Sequence, residues 1–395
     1  MNEGGNGSTT DRPRRRFAGR PAVVTISALV VLLVGGLVGV AAVAWSDSPR
    51  GPVWRAAPVA EPSTSAEPSP TATAEESISL SATGDIIMGN APARLPANGG
   101  AGFFNSVKQA LAADLVMGNL EEPLTEDTGF TKCRPPTSGC HQFRAPPSYA
   151  RHLREAGFEV LNQANNHGND YGPAGYRNTQ KALEQHGLEH TGAPDEITVV
   201  DVEDIKVAVV GFSSYAWSNS LIDIAEAKRV VLAAASRADL VVVQVHMGAE
   251  GSDRTHVRPG TEMFLGENRG DPIRFSHSVI DAGADLVVGH GPHVLRGLEF
   301  YKGRLIAYSL GNFAGGGGTL SKTGRLGLGG VLKVRLRADG SWAGGRFIST
   351  YLNSAGRPTV DRDRRGAALV RGVSRSDFPS TGAKLAADGT IAPSA

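Results

Sequence analysis

HLREAGFEVLN (residues 152–162) and HSVIDAGADLVVG (residues 277–289) carry one design twice. In each, a helix closes at an Ala-Gly pair, Gly157 or Gly283 suits the left-handed position after a helix, and an apolar strand begins two residues later. A helix that hands over to a strand, repeatedly, marks an α/β domain. The alternation extends on both sides of these joints. It reads as strand Ile78 to Thr83, helix Gly102 to Ala113, strand Leu115 to Met117, helix Pro147 to Ala156, strand Val160 to Gln163 and helix Pro173 to His186. Further along, TVVDVEDIKVAVVGF (198–212) reads as a hairpin, Ile222 to Ser236 as a helix and Leu240 to His246 as a buried strand. Strands at Gly297 to Phe300, Leu305 to Leu310, Val331 to Arg337 and Gly344 to Tyr351 complete the expectation: two sheets packed face to face and flanked by helices.

Polar residues gather just past these strands. Thr83-Gly84-Asp85 follows the first, Gly118-Asn119-Leu120-Glu121-Glu122 the second, and Ala164-Asn165-Asn166-His167-Gly168-Asn169-Asp170 the third. His246-Met247-Gly248-Ala249-Glu250 ends the long buried strand, and Gly289-His290-Gly291-Pro292-His293 follows Asp285 to Val288. Ligand sites of α/β sheets lie beyond the carboxyl ends of strands, so five strand ends point at one place.

Taken singly, each group has an ordinary structural explanation. An Asp after Gly caps a turn, Asn165 to His167 makes a polar loop, and a strand-ending His is a hydrogen-bonded interior residue. Five separate strand ends all bearing ligand-capable groups are not accounted for that way. Carboxylate, amide and imidazole donors without a thiolate suit Mn, Zn or Fe(II), and a carboxylate shared between imidazoles is a way to hold two such cations. Such a pair lowers the pKa of a bridging water, and His167 is then free to act as a general acid on a leaving group.

At these residues the chain resembles the CapA family of bacterial capsule-synthesis proteins, associated with poly-gamma-glutamate, which itself resembles the calcineurin-like metallophosphoesterases. TGDIIMG, GNLEEPLT, ANNHGNDYG, VHMGAE, GHGPHV and YSLGNF carry the resemblance across residues 79 to 313. It implies a four-layer α/β/β/α sandwich and a role in making, exporting or anchoring an anionic capsular polymer. Carried over residue by residue, it implies Asp85 and His293 at a first metal, Glu121 as bridge, Asn166, His246 and His290 at a second, and His167 as proton donor. Asn119, Asn165, Asp170, Glu250 and Asn312 would support them; for Asn312 a simple Gly-Asn turn is an equal reading. Three departures stand out. Ile87 occupies the position where the metallophosphoesterase pattern has a ligand His, the bridging group is Glu, and Gly291 interrupts the expected GHHPH. They motivate an alternative, a non-catalytic polymer-binding or assembly subunit that keeps a degenerate form of the fold.

The rest of the chain concerns location. Residues 1–20 hold five Arg against two acids, so of 40 Lys+Arg and 39 Asp+Glu, 35 and 37 remain beyond them. A formal net charge of +1 gives no field for gripping nucleic acid. Residues 21–46 contain no charge and are long enough to cross a bilayer, with the arginines cytoplasmic and the bulk exported. A cleaved signal peptide is the competing reading, since Ala42-Val43-Ala44 offers a cleavage site. Residues 47–76 read as a Pro/Ser/Ala/Thr-rich disordered linker, 77–370 as the folded domain and 371–395 as a disordered tail. Cys133 and Cys140, the chain's two cysteines, either form a disulfide in an exported loop or stay as free thiols. The expected partners are an anionic envelope polymer, the membrane and, through the helix, a synthase or export subunit.

Overall fold

A computed structural model of the protein describes residues 53–56, 77–133 and 139–394. In chain order its elements are β1 (Val53–Ala56), β2 (Ser77–Ile87), α1 (Lys108–Leu111), β3 (Leu115–Leu120), α2 (Ala150–Ala156), β4 (Val160–Asn162), α3 (Gly172–Gln185), β5 (Glu189–Thr191), β6 (Glu196–Val202) and β7 (Ile205–Ser213). Then come β8 (Asn219–Ser220), α4 (Ile224–Ala235), β9 (Leu240–His246), β10 (Met263–Phe264), β11 (Glu267–Asn268), α5 (Pro272–Asp281), β12 (Leu286–His290), β13 (Leu298–Tyr301), β14 (Arg304–Ala307) and β15 (Asn312–Gly315). The chain closes with β16 (Leu328–Arg337), β17 (Trp342–Leu352), β18 (Pro358–Val360), α6 (Arg365–Asp377), β19 (Lys384–Leu385) and β20 (Thr390–Ala392).

Strand alternation sorts these elements into layers. Along β9, Leu240 and Val242 join one apolar core while Val241, Val243 and Val245 join another; β7 and β12 divide their residues the same way. The first core also takes Leu80 and Ala82 of β2 with Leu115 and Met117 of β3, so it fills the space between two sheets. The outer face of the first sheet is covered by α4 and α5, through Val230, Val231, Phe275 and Val279. That of the second is covered by α2 and α3, through Leu153, Ala182 and Leu183. The result is helix, sheet, sheet, helix. One sheet runs β1-β6-β7-β9-β12-β14-β13 with β8 beside β7. The other runs β19-β20-β17-β16-β2-β3-β4-β5, with β15 beside β2 and β18 beside β17.

The two repeated joints fold as read: Gly157 (φ 99°) and Gly283 (φ 111°) take the left-handed turn after α2 and α5. Strands β2 to β5 are parallel, as are β7, β9, β12 and β14, which aligns their carboxyl ends.

Three expectations are corrected. The helix read over 102 to 113 shrinks to Lys108–Leu111, because Gly102 turns at φ 64° and Phe103 and Phe104 fold inward to the core that holds Phe158 and Phe313. The tail read as disordered beyond 370 is ordered: α6 reaches Asp377, and β19 and β20 extend the second sheet beside β17. Phe378, Ala383, Leu385 and Ile391 are each buried there without forming a periodic pattern. Within the linker read as disordered, Val53–Ala56 pairs in parallel with β6, whose open edge offers backbone partners to an extended segment. The basic tail, the apolar segment 21–46 and residues 57–76 lie outside the described residues. Among the described residues no helix is long and apolar enough to cross a membrane.

Candidate metal centre

Register brings the polar strand ends together. Asp85 of β2 stands opposite Asn119 of β3 on one side and Asn312 of β15 on the other. His246 of β9 stands opposite His290 of β12. The second sheet therefore delivers carboxylates and amides, and the first delivers imidazoles. Asp85, Glu121, His246 and His290 are all 0% exposed.

An amide chain fixes the acidic half. Asn119 Nδ2 donates to Asp85 Oδ1 at 2.9 Å, Asn119 Oδ1 accepts from Asn162 Nδ2 at 2.9 Å and Asn165 Nδ2 at 3.1 Å, and the Asp85 backbone donates to Gly311 O at 3.0 Å. His293, in a left-handed turn at φ 59°, brings Nδ1 within 3.1 Å of Asp85 Oδ2 and 2.9 Å of Asn312 Oδ1. Asn312 Nδ2 donates to Leu326 O, so its Oδ1 is the acceptor and Nδ1 of His293 carries the proton. Asn312 thus orients a site residue as well as making a turn. Asp85, Glu121 and His293 offer ligand atoms that all lie within 4.8 Å of one another.

The imidazole half is bare by comparison. His246 Nε2 lies 3.2 Å from Glu121 Oε1, while His246 Nδ1 and both ring nitrogens of His290 have no hydrogen-bond partner among the described residues; on the acidic side Glu121 Oε2 likewise has none. Buried donors and acceptors are normally paired, and these converge on one place, so the residues fit divalent cations. Gly291 belongs to this half. At φ 106° it takes a conformation that resists a side chain, and a Cβ there would stand 2.9 Å from the His246 ring. The departure from GHHPH is therefore the condition for the ring's position.

Charge follows burial and neighbours. Burial pushes the Glu121 carboxyl well above the carboxylate range, and Asp85 adds to the push. Burial works against ionised Asp85, but the hydrogen bond and charge of His293 outweigh it and hold the group below its usual value. Burial likewise opposes a charged His293, but Glu121 and Asp85 raise it well above the ordinary imidazole range. Burial lowers His290 to about 4 and, with Arg269 nearby, puts His246 well below its usual value. His246 and His290 are thus neutral imidazoles with lone pairs available, the form a metal binds.

His167 stands on the wall of a cavity of about 310 Å³ that also includes Ile87, His141, Phe143, Glu250, His293 and Asn312. Its Nδ1 lies 2.8 Å from Asp170 Oδ2 and 3.2 Å from Lys132 Nζ, and Phe143 packs on its ring at 4.6 Å. Burial lowers its pKa, and Asp170 partly restores it. Asn165 Oδ1 accepts from the His167 backbone at 3.1 Å. Asn166 shares a second cavity with His167 and Glu250, and its buried Oδ1 has no hydrogen-bond partner among the described residues. Cys133 and Cys140 are joined as a disulfide, which closes the loop between Lys132 and His141.

Two contributors were not singled out from sequence. Arg269, 2% exposed, donates from Nη2 to Glu250 Oε1 at 2.7 Å and from Nε to Glu267 Oε2 at 3.0 Å. Lys132 pairs with Asp170. Both sit in loops without a periodic signal; only the adjacent Cys133 marked the second.

The family described as bacterial capsule synthesis protein PGA_cap matches residues 79–316. The capsule biosynthesis protein CapA of Bacillus anthracis is 31% identical over 262 residues, 60% of each chain. The PGA biosynthesis protein CapA of Bacillus subtilis (strain 168) is 30% identical over 258 residues, 60% of this chain and 63% of that one. A probable polyglutamine synthesis accessory protein of Mycobacterium tuberculosis (strain CDC 1551 / Oshkosh) is 30% identical over 226 residues, 52% of this chain and 57% of that protein. The matched region spans about three fifths of the length of these relatives. Among solved structures, a 5'-nucleotidase precursor from Thermus thermophilus aligns with 77% of this chain and 60% of its own, at TM-score 0.39 and 14% identity, too distant to carry an argument.

Proposed function

The chain belongs to the bacterial capsule synthesis protein family PGA_cap, and from that premise we propose that it is a membrane-anchored, extracytoplasmic, metal-dependent hydrolase or transferase acting on an anionic envelope polymer of the poly-gamma-glutamate type. The observation that carries the chemistry is the convergence of Asp85, Glu121 and His293 within 4.8 Å of one another, beside the bare imidazoles of His246 and His290. Asp85, Glu121 and His293 would hold one divalent cation, and Glu121, Asn166, His246 and His290 a second. Cations bound there supply Lewis acidity and cancel the charge of an anionic substrate.

The chain's own residues do the rest. Asp85 is kept ionised by Asn119 and His293. Asp170 holds Nδ1 of His167 and favours its protonated form against burial, and it is as the imidazolium that the ring would deliver a proton to a leaving group from the cavity wall, returning to the neutral ring. Lys132, 28% exposed at its side chain, lines the adjoining cavity and offers a cation to an approaching polymer carboxylate or phosphate, while Arg269 is held in ion pairs with Glu250 and Glu267 and keeps that wall in place. On this proposal the uncharged segment 21–46 is the membrane anchor that keeps this chemistry at the outer face.

The test is elemental analysis of the purified full chain together with turnover of a phosphoester panel and a gamma-glutamyl oligomer. The proposal expects bound Mn, Zn or Fe, lost in Asp85→Ala, and loss of polymer output in cells carrying that variant. A metal-free protein whose Asp85→Ala form sustains polymer output would refute it. Ile87, which puts an apolar side chain on the cavity wall, favours the second reading, a polymer-binding or assembly subunit. That reading expects metal-independent polymer output that fails when the N-terminal helix is exchanged for an unrelated anchor.

A further inference from the structure

Glu250 has a geometry that its place in a loop after β9 does not explain. One oxygen, Oε1, is held by Arg269 Nη2 at 2.7 Å, and the Arg269 guanidinium is itself fixed by Glu267 and by the rings of Tyr215 and Phe264, each 5.5 Å from it. The other oxygen, Oε2, lies 3.7 Å from His293 Nε2, and Glu121 Oε1 lies 3.8 Å from the same nitrogen. His293 Nδ1 is turned to Asp85 and Asn312, so Nε2 is the ring nitrogen that faces these two carboxylates, and a cation binding there would take the place of its proton. Separations of 3.7 and 3.8 Å are too long for hydrogen bonds. They are close to the spacing of roughly 3.4 Å that atoms bound at about 2.1 Å keep around a tetrahedral cation. The buried, unpartnered Glu121 Oε2 independently marks the place as a ligand site.

We propose that Glu250 is a direct ligand of the cation on the Asp85/His293 side, with Arg269 as its positioning residue. The two sides then differ in kind. Asp85, Glu121, Glu250 and His293 make an oxygen-rich set that favours Mn²⁺, whereas His246 and His290 make the other side imidazole-rich and favour Zn²⁺ or Fe²⁺. This rests on the metal-dependent reading above and adds a ligand and a division of labour to it.

The test uses purified full chain, stripped with chelator and dialysed against Mn²⁺ and Zn²⁺ together, with metal content read by elemental analysis and Mn²⁺ by electron paramagnetic resonance. Wild type should retain one ion of each. Glu250→Gln should lose Mn²⁺ affinity by about a hundred-fold while keeping Zn²⁺, and Glu250→Asp should fall between. Ile87 lies two residues beyond Asp85, on the same face of β2 and on the same cavity wall as His293 and Glu250. Ile87→His in the Glu250→Gln background should restore a second ion, now Zn²⁺, which a purely structural Glu250 would not allow. Wild-type Mn²⁺ binding in folded Glu250→Gln, or loss of both ions together, overturns the inference. A wild-type chain that takes up no metal overturns the metal-dependent reading and this inference with it.

Discussion

The two sheets bring opposite halves to one site. At β2 and β3, Asp85 Oδ1 is braced before any ligand arrives, held by Asn119, which is itself held by Asn162 and Asn165, and Glu121 beside it keeps an unpartnered oxygen for a ligand. The half from β9 and β12 is positioned only by strand register and by the close packing at Gly291, and its ring nitrogens are largely without partners. A buried carboxylate needs donors to stay ionised in the folded chain, whereas a neutral imidazole tolerates burial as a lone-pair donor. The protein builds rigidity around Asp85, the ionised carboxylate, and leaves the neutral imidazoles of His246 and His290 for a cation to complete.

Four variants can break this contrast. The largest effect should come from His290→Gln, which removes an imidazole ligand from the bare half without opening a large cavity: metal affinity, measured by chelator competition, should fall by more than about a hundred-fold while thermal stability changes less than in the next variant. Asn119→Ala strikes the braced half, leaving Asp85 Oδ1 without its donor. It should cost about 1 to 3 kcal/mol in denaturant unfolding and weaken metal binding about ten-fold or more. An equal loss of stability in both variants would erase the distinction. Gly291→Ala forces a strained φ and presses on His246, so it should destabilise by about 1 to 2 kcal/mol and weaken the imidazole side selectively. Replacing Cys133 and Cys140 by Ser, of which Cys140 lines the adjoining cavity and neither lies among the Asp85, Glu121, His246 and His290 side chains, should cost about 2 kcal/mol or less in thermal unfolding and leave metal content intact.

Much of this was legible in the sequence because buried strands announce themselves. Leu240–His246 is an apolar run broken only by Gln244 and ending in a histidine, and it forms the strand as read. The strand ends that carry Asp85, Glu121, His246 and His290 could be found because each polar residue interrupts an apolar pattern. Arg269 could not, since it lies beyond a two-residue strand and its partners Glu250 and Tyr215 are 19 and 54 residues away. The C-terminal segment was misread for a related reason. Its apolar residues fill separate pockets made by other elements, so Phe378 stacks on Tyr308 and Leu385 enters the inter-sheet core, with no local period to reveal either. Gly291 looked like decay in a motif and became explicable only when the His246 ring was found against it.

The central claim, that two differently built sheet ends meet to hold a pair of cations, is tested most directly by anomalous diffraction from crystals of the protein grown with Mn²⁺ and Zn²⁺. The account predicts two anomalous peaks: Mn among Asp85, Glu121, Glu250 and His293, and Zn among Glu121, His246 and His290. Crystals with no anomalous peak between these side chains, and with the imidazoles of His246 and His290 bonded to ordered water alone, would contradict it.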